Sequence, residues 1–327
     1  MDKHHIVITH RVREERREFL KKITGNTAKL SFLCDMPTGL REQTLVDAEV
    51  LLTCNLPKEV GPSELSLLNN VKLIQLLSAG ADHVPYGELP ANITIASNVG
   101  AYAEPMAEHI LAMTLALSKN LVREHQNLCK GRFNQSSLNR RVRGIACGII
   151  GFGGIGRAAA RLMRGLGMRI LALNTSGRTD EPVDFIGTLK DLRYVLSEAD
   201  VVVISIPLTK ATRGLIGKRE LEWMKSDSML INVARGDLID EAAFYHHLAG
   251  HPDFKAGIDA WWIEPFTSGE FKTTFPILAL PNIIGSPHNS AIVPGINEES
   301  THQAMENVMR FLRGETIAGI VRREDYI

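Results

Sequence analysis

Gly144 to Gly156 reads GIACGIIGFGGIG. Ile145 to Ile150 is a short apolar run that leads without a gap into Gly151, Gly153 and Gly156, and Arg157 to Leu166 follows with helical character. That order is strand, tight glycine turn, helix. Each glycine has its own physical use: Gly151 permits the turn, Gly153 lets a pyrophosphate approach the backbone, and Gly156 lets helix pack close to strand. Free N–H groups at the helix start, with Gly154 and Ile155 in the same turn, then face phosphate oxygens.

Around this stretch the chain is long enough for two domains of ordinary size, with 327 residues, a hydrophobic fraction of 44% and a charged fraction of 23%. Formal net charge is +0, so neither nucleic acid nor an anionic membrane is an expected partner. Cys34, Cys54, Cys129 and Cys147 are far apart and form no metal-ligand spacing with histidine. No metal site is expected, and reduced thiols fit a cytoplasmic protein. The opening MDKHHIVITH lacks the apolar core of a signal peptide, and His4 and His5 carry no ligand pattern.

Elsewhere short apolar runs alternate with helical periodicity. Strand-like segments are Ile6 to Thr9, Lys29 to Leu33, Val50 to Thr53, Val71 to Leu77 and Ile93 to Ala96, with a helix expected over Ser63 to Asn69. Such alternation implies parallel strands and doubly wound sheets. After the fourth strand comes SAGADHV, Ser78 to Val84, a candidate anion cradle made of backbone N–H groups. Asn98 stands as a cap before a long helix, Tyr102 to Leu117, and the chain crosses between domains here. Leu121 to Arg143 reads as a polar connection, with Arg140, Arg141 and Arg143 as a solvated basic loop.

Beyond the glycine turn, Met168 to Leu173 ends in NTSGRTD. An NAD site usually places Asp or Glu about 20 residues past the glycines. Here Asn174 stands in that place, with Ser176 and Arg178 after it. Without a carboxylate there is no repulsion toward a 2′-phosphate, and Arg178 offers a fork of donors. NADP is therefore expected in preference to NAD.

Three later strands end at ARGD, DAWWIEP and SPHNSA. Arg235, Glu264 and His288 thus fall just beyond strand ends, on the edge that carries the glycine turn. Together they suit reduction of a 2-keto acid beside a nicotinamide. Arg235 can hold the carboxylate and polarise the carbonyl. His288 can donate a proton to the oxygen, Glu264 can orient the imidazole, and Asp259 is a candidate for orienting the carboxamide.

Over nearly its whole length the chain resembles the D-isomer-specific 2-hydroxyacid dehydrogenases. The resemblance is carried by SAGADHV, AEPMAEHILAMTLAL, GIIGFGGIGRAAA, PLTKATRGLIG, INVARGDLID, IDAWWIEP and SPHNSA. It implies an α/β fold of two doubly wound domains, a Rossmann cofactor domain (100–293) inserted into a discontinuous flavodoxin-like substrate domain (1–99 and 294–327). It implies that Arg235, Glu264 and His288 are catalytic, and that Ser78, Ala79 and Gly80 bind the substrate carboxylate with Arg235. By the same resemblance Pro207, Thr212, Val233 and Ala234 join the cofactor-binding set, and the protein is a homodimer.

Two departures bear on specificity. Asn174 is similar to the arrangement in NADP-using glyoxylate and hydroxypyruvate reductases. Asn289, Ser290, Trp261 and Trp262 are bulkier or more polar than the family pattern, so a different substrate pocket is expected. The other classes left open are an NAD(H)-sensing interaction protein of the corepressor type, and a dehydrogenase of another small anion such as formate or phosphite.

Overall fold

The protein is described by a computed structural model over residues 4–327. Met1 to Lys3, where the stretch read for a signal peptide begins, lie outside the described residues. The chain divides into two compact units: the residues up to Tyr102 with Val293–Ile327, and Ala103–Ile292.

In the first unit β1 (His4–Ile8), β2 (Ala28–Phe32), β3 (Val50–Thr53), β4 (Leu73–Leu76) and β5 (Thr94–Ala96) form a wholly parallel sheet in the order β2-β1-β3-β4-β5. This is the flavodoxin-like order. Ile6, Ile8, Leu51, Leu52, Leu73 and Ile74 are fully buried, as continuous apolar strands covered on both faces must be. The returning segment adds helix Ile296–Leu312, which buries Ala304, Met305 and Val308 against this core.

The second unit holds β6 (Ala146–Ile150), β7 (Arg169–Leu173), β8 (Phe185–Gly187), β9 (Val201–Ile204), β10 (Met229–Asn232), β11 (Lys255–Ile258) and β12 (Ile283–Gly285). All are parallel, in the order β12-β11-β10-β9-β6-β7-β8. The chain winds one way from β6 to β8, then restarts at β9 on the other side of β6. That reversal makes a crevice at the carboxyl ends of β6 and β9. The glycine turn follows β6 and helix Gly154–Gly165 follows the turn. Both sheets are therefore the doubly wound α/β architecture that the alternating pattern predicts.

Several local expectations are corrected. The helix expected over Ser63 to Asn69 is split into a short helix, Pro62–Leu65, and a 3-10 turn, Leu68–Asn70. Ser66 Oγ bonds Ser63 O and Asn69 Nδ2 bonds Ser66 O, and such local side-chain bonds compete with helix continuation. Asn98 does not cap the long helix, which runs Ala103–Ser118; its Nδ2 donates to Leu77 O and Ser300 O inside the first unit. The connection expected from Leu121 begins instead with a helix, Leu121–Cys129, none of whose residues is buried. Arg140 is no free solvated cation: it donates to Asp200 Oδ1 at 2.6 Å and to the carbonyl of Asp227. His4 and His5 are likewise tied down, to Glu49 at 2.7 Å and to Ser31 at 2.8 Å. Among the described residues no cluster of metal-ligating side chains occurs, and no helix is long and apolar enough to cross a membrane.

Candidate active site

The glycine turn has the shape its sequence dictates. Gly151 adopts φ 101°, and a Cβ there would overlap the backbone of Ser205 and the side chain of Ile206. A Cβ on Gly156 would strike the carbonyl of Gly151. Gly153 differs: nothing in the protein lies within 4 Å of the place its Cβ would take. It caps helix Gly154–Gly165 without a side-chain bond, so the first-turn N–H groups, including those of Gly154 and Ile155, are available to an anion. Two close approaches and one open face fit a dinucleotide pyrophosphate.

At the end of β7, Asn174 organises its own loop. Its Oδ1 accepts from Ser176 N at 3.1 Å and Gly177 N at 2.7 Å, and its Nδ2 donates to Arg178 O at 2.8 Å. The Arg178 side chain is exposed and makes no ion pair among the described residues. After β9, Thr212 Oγ1 closes the next turn on Pro207 O at 2.7 Å. Gly214 N and Ile216 N then bond Asp237 O and Leu238 O, tying this turn to the segment after β10.

That segment carries Arg235. The Asn232 side chain accepts from Ala234 N at 3.0 Å and donates to Arg235 O at 2.8 Å, which fixes the exit from β10 and places Val233 in the core. Arg235 Nη1 bonds Ala234 O at 2.8 Å. Gly236 lies so close to Trp261 that a Cβ would overlap its backbone. The arginine segment and the glutamate segment are thereby locked together.

Glu264 begins the short helix Pro265–Ser268, following β11. Its Oε1 accepts Trp261 N at 2.5 Å and its Oε2 meets His288 Nδ1 at 2.7 Å. A carboxylate only accepts, so Nδ1 carries the hydrogen and Nε2 is the nitrogen left for proton transfer. His288 itself has φ 51°, a left-handed conformation that costs a non-glycine residue about 1–3 kcal/mol.

Asp259 holds it there. The carboxylate is fully buried and accepts from Ser286 Oγ at 2.5 Å, Asn289 N at 3.1 Å and Ser290 N at 3.2 Å, while Asp259 O accepts His288 N at 2.9 Å. Burial pushes the Asp259 carboxyl up, but the bonds from Ser286 and Ser290 and the nearby His109 outweigh it and hold the group below the usual carboxylate range. Asp259 lies just beyond β11 and bonds the histidine loop from outside. Trp261 joins this support, its Nε1 donating to Ser286 O at 2.8 Å, while Trp262 Nε1 donates to Ile239 O at 2.7 Å, beyond the Arg235 segment. His109 and Ser286, joined at 2.9 Å, lie inside the segments AEPMAEHILAMTLAL and SPHNSA, but nothing in either segment marks them as partners.

The structure thus brings Glu264 and His288 into contact and packs the Arg235 segment beside them, all at carboxyl ends of strands in the second unit. Ser78, Ala79 and Gly80 belong to the first unit. There Ser78 Oγ closes the turn on Gly80 O at 2.7 Å, and the N–H groups of Ala79 and Gly80 bond nothing among the described residues. The turn is a small donor cradle.

Comparison with known proteins agrees with this geometry. Residues 111–290 match the model of the D-isomer specific 2-hydroxyacid dehydrogenase, NAD binding domain. A hydroxypyruvate reductase of Thermotoga maritima is 30% identical over 68% of this chain and 71% of its own length. A glycerate dehydrogenase of Methylorubrum extorquens is 30% identical over 84% of this chain and 85% of its own. The D-lactate dehydrogenase of Aquifex aeolicus, solved with NAD and lactic acid, is 27% identical and superposes with a TM-score of 0.74, covering 95% of this chain and 96% of that one. The chain belongs to the D-isomer specific 2-hydroxyacid dehydrogenases and is an NAD(P)-dependent oxidoreductase of 2-hydroxy acids.

Proposed function

We propose that the protein reduces a small 2-keto acid of the glyoxylate or hydroxypyruvate kind with NADPH, and runs the reverse oxidation of the 2-hydroxy acid. The observation that carries this reading is the Glu264–His288 contact at 2.7 Å, made by a histidine held in a strained conformation. Local strain persists where the surrounding structure over-determines it, as it does at working sites.

Each residue has a part. Arg235 clamps the substrate carboxylate and draws electron density from the adjacent carbonyl. The Ala79 and Gly80 N–H groups of the first unit are suited to an anionic group such as a carboxylate. His288 donates a proton from Nε2 to the carbonyl oxygen, and Glu264 stabilises the imidazolium from Nδ1 before that transfer. In the oxidation direction Nε2 takes the hydroxyl proton. A nicotinamide bound here would supply or accept the hydride at C2. Gly151, Gly153, Gly154, Ile155 and Gly156 would hold its pyrophosphate, and Pro207, Thr212, Val233 and Ala234 would line its path along the strand ends.

NADP is preferred over NAD in this reading because Asn174 spends its side chain on the loop while Arg178 presents an unengaged guanidinium beside it. The protein works as a homodimer: Leu121, Val122, Leu128, Phe133 and Leu138 concentrate exposed apolar surface in one stretch of the second unit. Its four cysteines are free thiols, in keeping with a cytoplasmic site.

The test is oxidation of NADPH and NADH with glyoxylate, hydroxypyruvate, pyruvate and bulkier keto acids, with formate and phosphite tried against the oxidised cofactors. Turnover should be fastest with a two- or three-carbon keto acid and NADPH. Activity confined to formate or phosphite would overturn the substrate assignment.

A further inference from the structure

We propose that His109 and Ser286 are positioning residues, a hydrogen-bond relay that fixes Asp259 and, through it, the strained loop bearing His288. The proposal rests on the reading of His288 as the proton-transfer residue.

The direction of the relay follows from donor and acceptor counts. Asp259 is ionised and can only accept. Ser286 Oγ lies 2.5 Å from Asp259 Oδ1 and 2.9 Å from His109 Nε2. A hydroxyl has one hydrogen, and the short bond to the carboxylate takes it. His109 must therefore donate from Nε2 into the Ser286 lone pair. The order is His109 Nε2–H to Ser286 Oγ–H to Asp259 Oδ1. His109 Nε2 also stands 3.9 Å from Asp259 Oδ1, so a charge on the ring would act in the same sense.

What the relay steadies is specific. The same Oδ1 receives Asn289 N, the other oxygen receives Ser290 N, and the Asp259 carbonyl receives His288 N. These three bonds surround the residue with φ 51°. Without the Ser286 hydroxyl, the buried carboxylate would lose its shortest bond, and His109 Nε2–H would lose its acceptor. The loop then gains freedom to leave the left-handed conformation, and His288 Nε2 moves relative to its target. His109 sits on helix Ala103–Ser118, which packs along helix Gly154–Gly165. One end of the relay is thus anchored on the neighbour of the helix that cradles the cofactor phosphates.

The test compares Ser286→Ala and His109→Phe, which break the relay, with Ser286→Thr and His109→Gln, which keep a hydroxyl and an N–H donor. Steady-state turnover is read together with histidine-ring 15N–1H NMR of the cofactor-free protein and thermal melting. The breaking variants should lose about 10- to 100-fold in kcat, the scale expected for misplacing a catalytic group by about 1 Å. KM and NADPH affinity should stay close to wild type, and the conservative pair should recover most of the rate. In the NMR spectrum His109 should be protonated at Nε2, and the His288 ring signals should move in Ser286→Ala and return in Ser286→Thr.

Wild-type rates in the breaking variants, unmoved His288 signals, or an Nδ1-protonated His109 would each overturn the relay. Equal losses in breaking and conservative variants, tracking a fall in melting temperature, would also overturn it in favour of plain structural support. Were the wild-type protein to turn over no keto acid, the substrate reading alone would fall, because the ring signals decide the relay without turnover.

Discussion

Two loops of the second unit, both at strand ends and both held by polar side chains, are built in opposite ways. The histidine loop after β12 is held from outside by a fully buried Asp259, which follows β11, and by Glu264 from the segment beyond it. The loop after β7 is held from inside by Asn174, whose side-chain bonds all stay within Asn174 to Arg178. A strained conformer needs partners from several elements. A surface turn needs only its own residues, so its outer side chains are open to change. In the proposed reading the chemistry sits on the first kind of loop and the choice of dinucleotide on the second.

Replacement at the two loops should therefore separate rate from cofactor choice. His288→Asn removes the proton donor and should lower kcat by about two to four orders of magnitude, with NADPH affinity retained when measured by fluorescence titration. A variant that turned over normally would take His288 out of the mechanism and erase the contrast. Arg178→Ala touches only the outer face of the loop after β7. It should weaken NADPH by about 10- to 100-fold, the worth of charge-assisted bonds to a phosphate, leave NADH binding nearly unchanged, and spare kcat at saturation. Equal weakening of both dinucleotides would show that the loop does not read the 2′-phosphate.

The same contrast explains what was legible in the amino-acid order. Continuous apolar strands and glycines with fixed steric duties announce themselves, because Gly151 and Gly156 leave no room for any other residue. Both sheets and the glycine turn could be read for that reason, and Arg235, Glu264 and His288 were recognisable as strand-end residues. Partnerships across elements are not written locally. Nothing near Ser286 says that it bonds Asp259 and His109, and nothing in Asn98 says that it ties two segments of the first unit together instead of capping a helix. Helix Leu121–Cys129 carries no apolar stripe that packs on a core, because its apolar residues Leu121, Val122 and Leu128 remain exposed. Trp261 and Trp262 stood out as bulkier than the family pattern, but nothing local says that their indole N–H groups bond Ser286 O and Ile239 O.

The central claim is direct hydride transfer between a nicotinamide and C2 of a keto acid, with His288 supplying the proton. It is tested most directly by reducing hydroxypyruvate with NADPH deuterated at C4 on the transferred face and locating the label by mass spectrometry and NMR. The account predicts one deuterium at C2 of the glycerate formed, from wild-type protein and, slowly, from His288→Asn. Glycerate without deuterium at C2, or no glycerate at all under conditions where the protein binds NADPH, would contradict it.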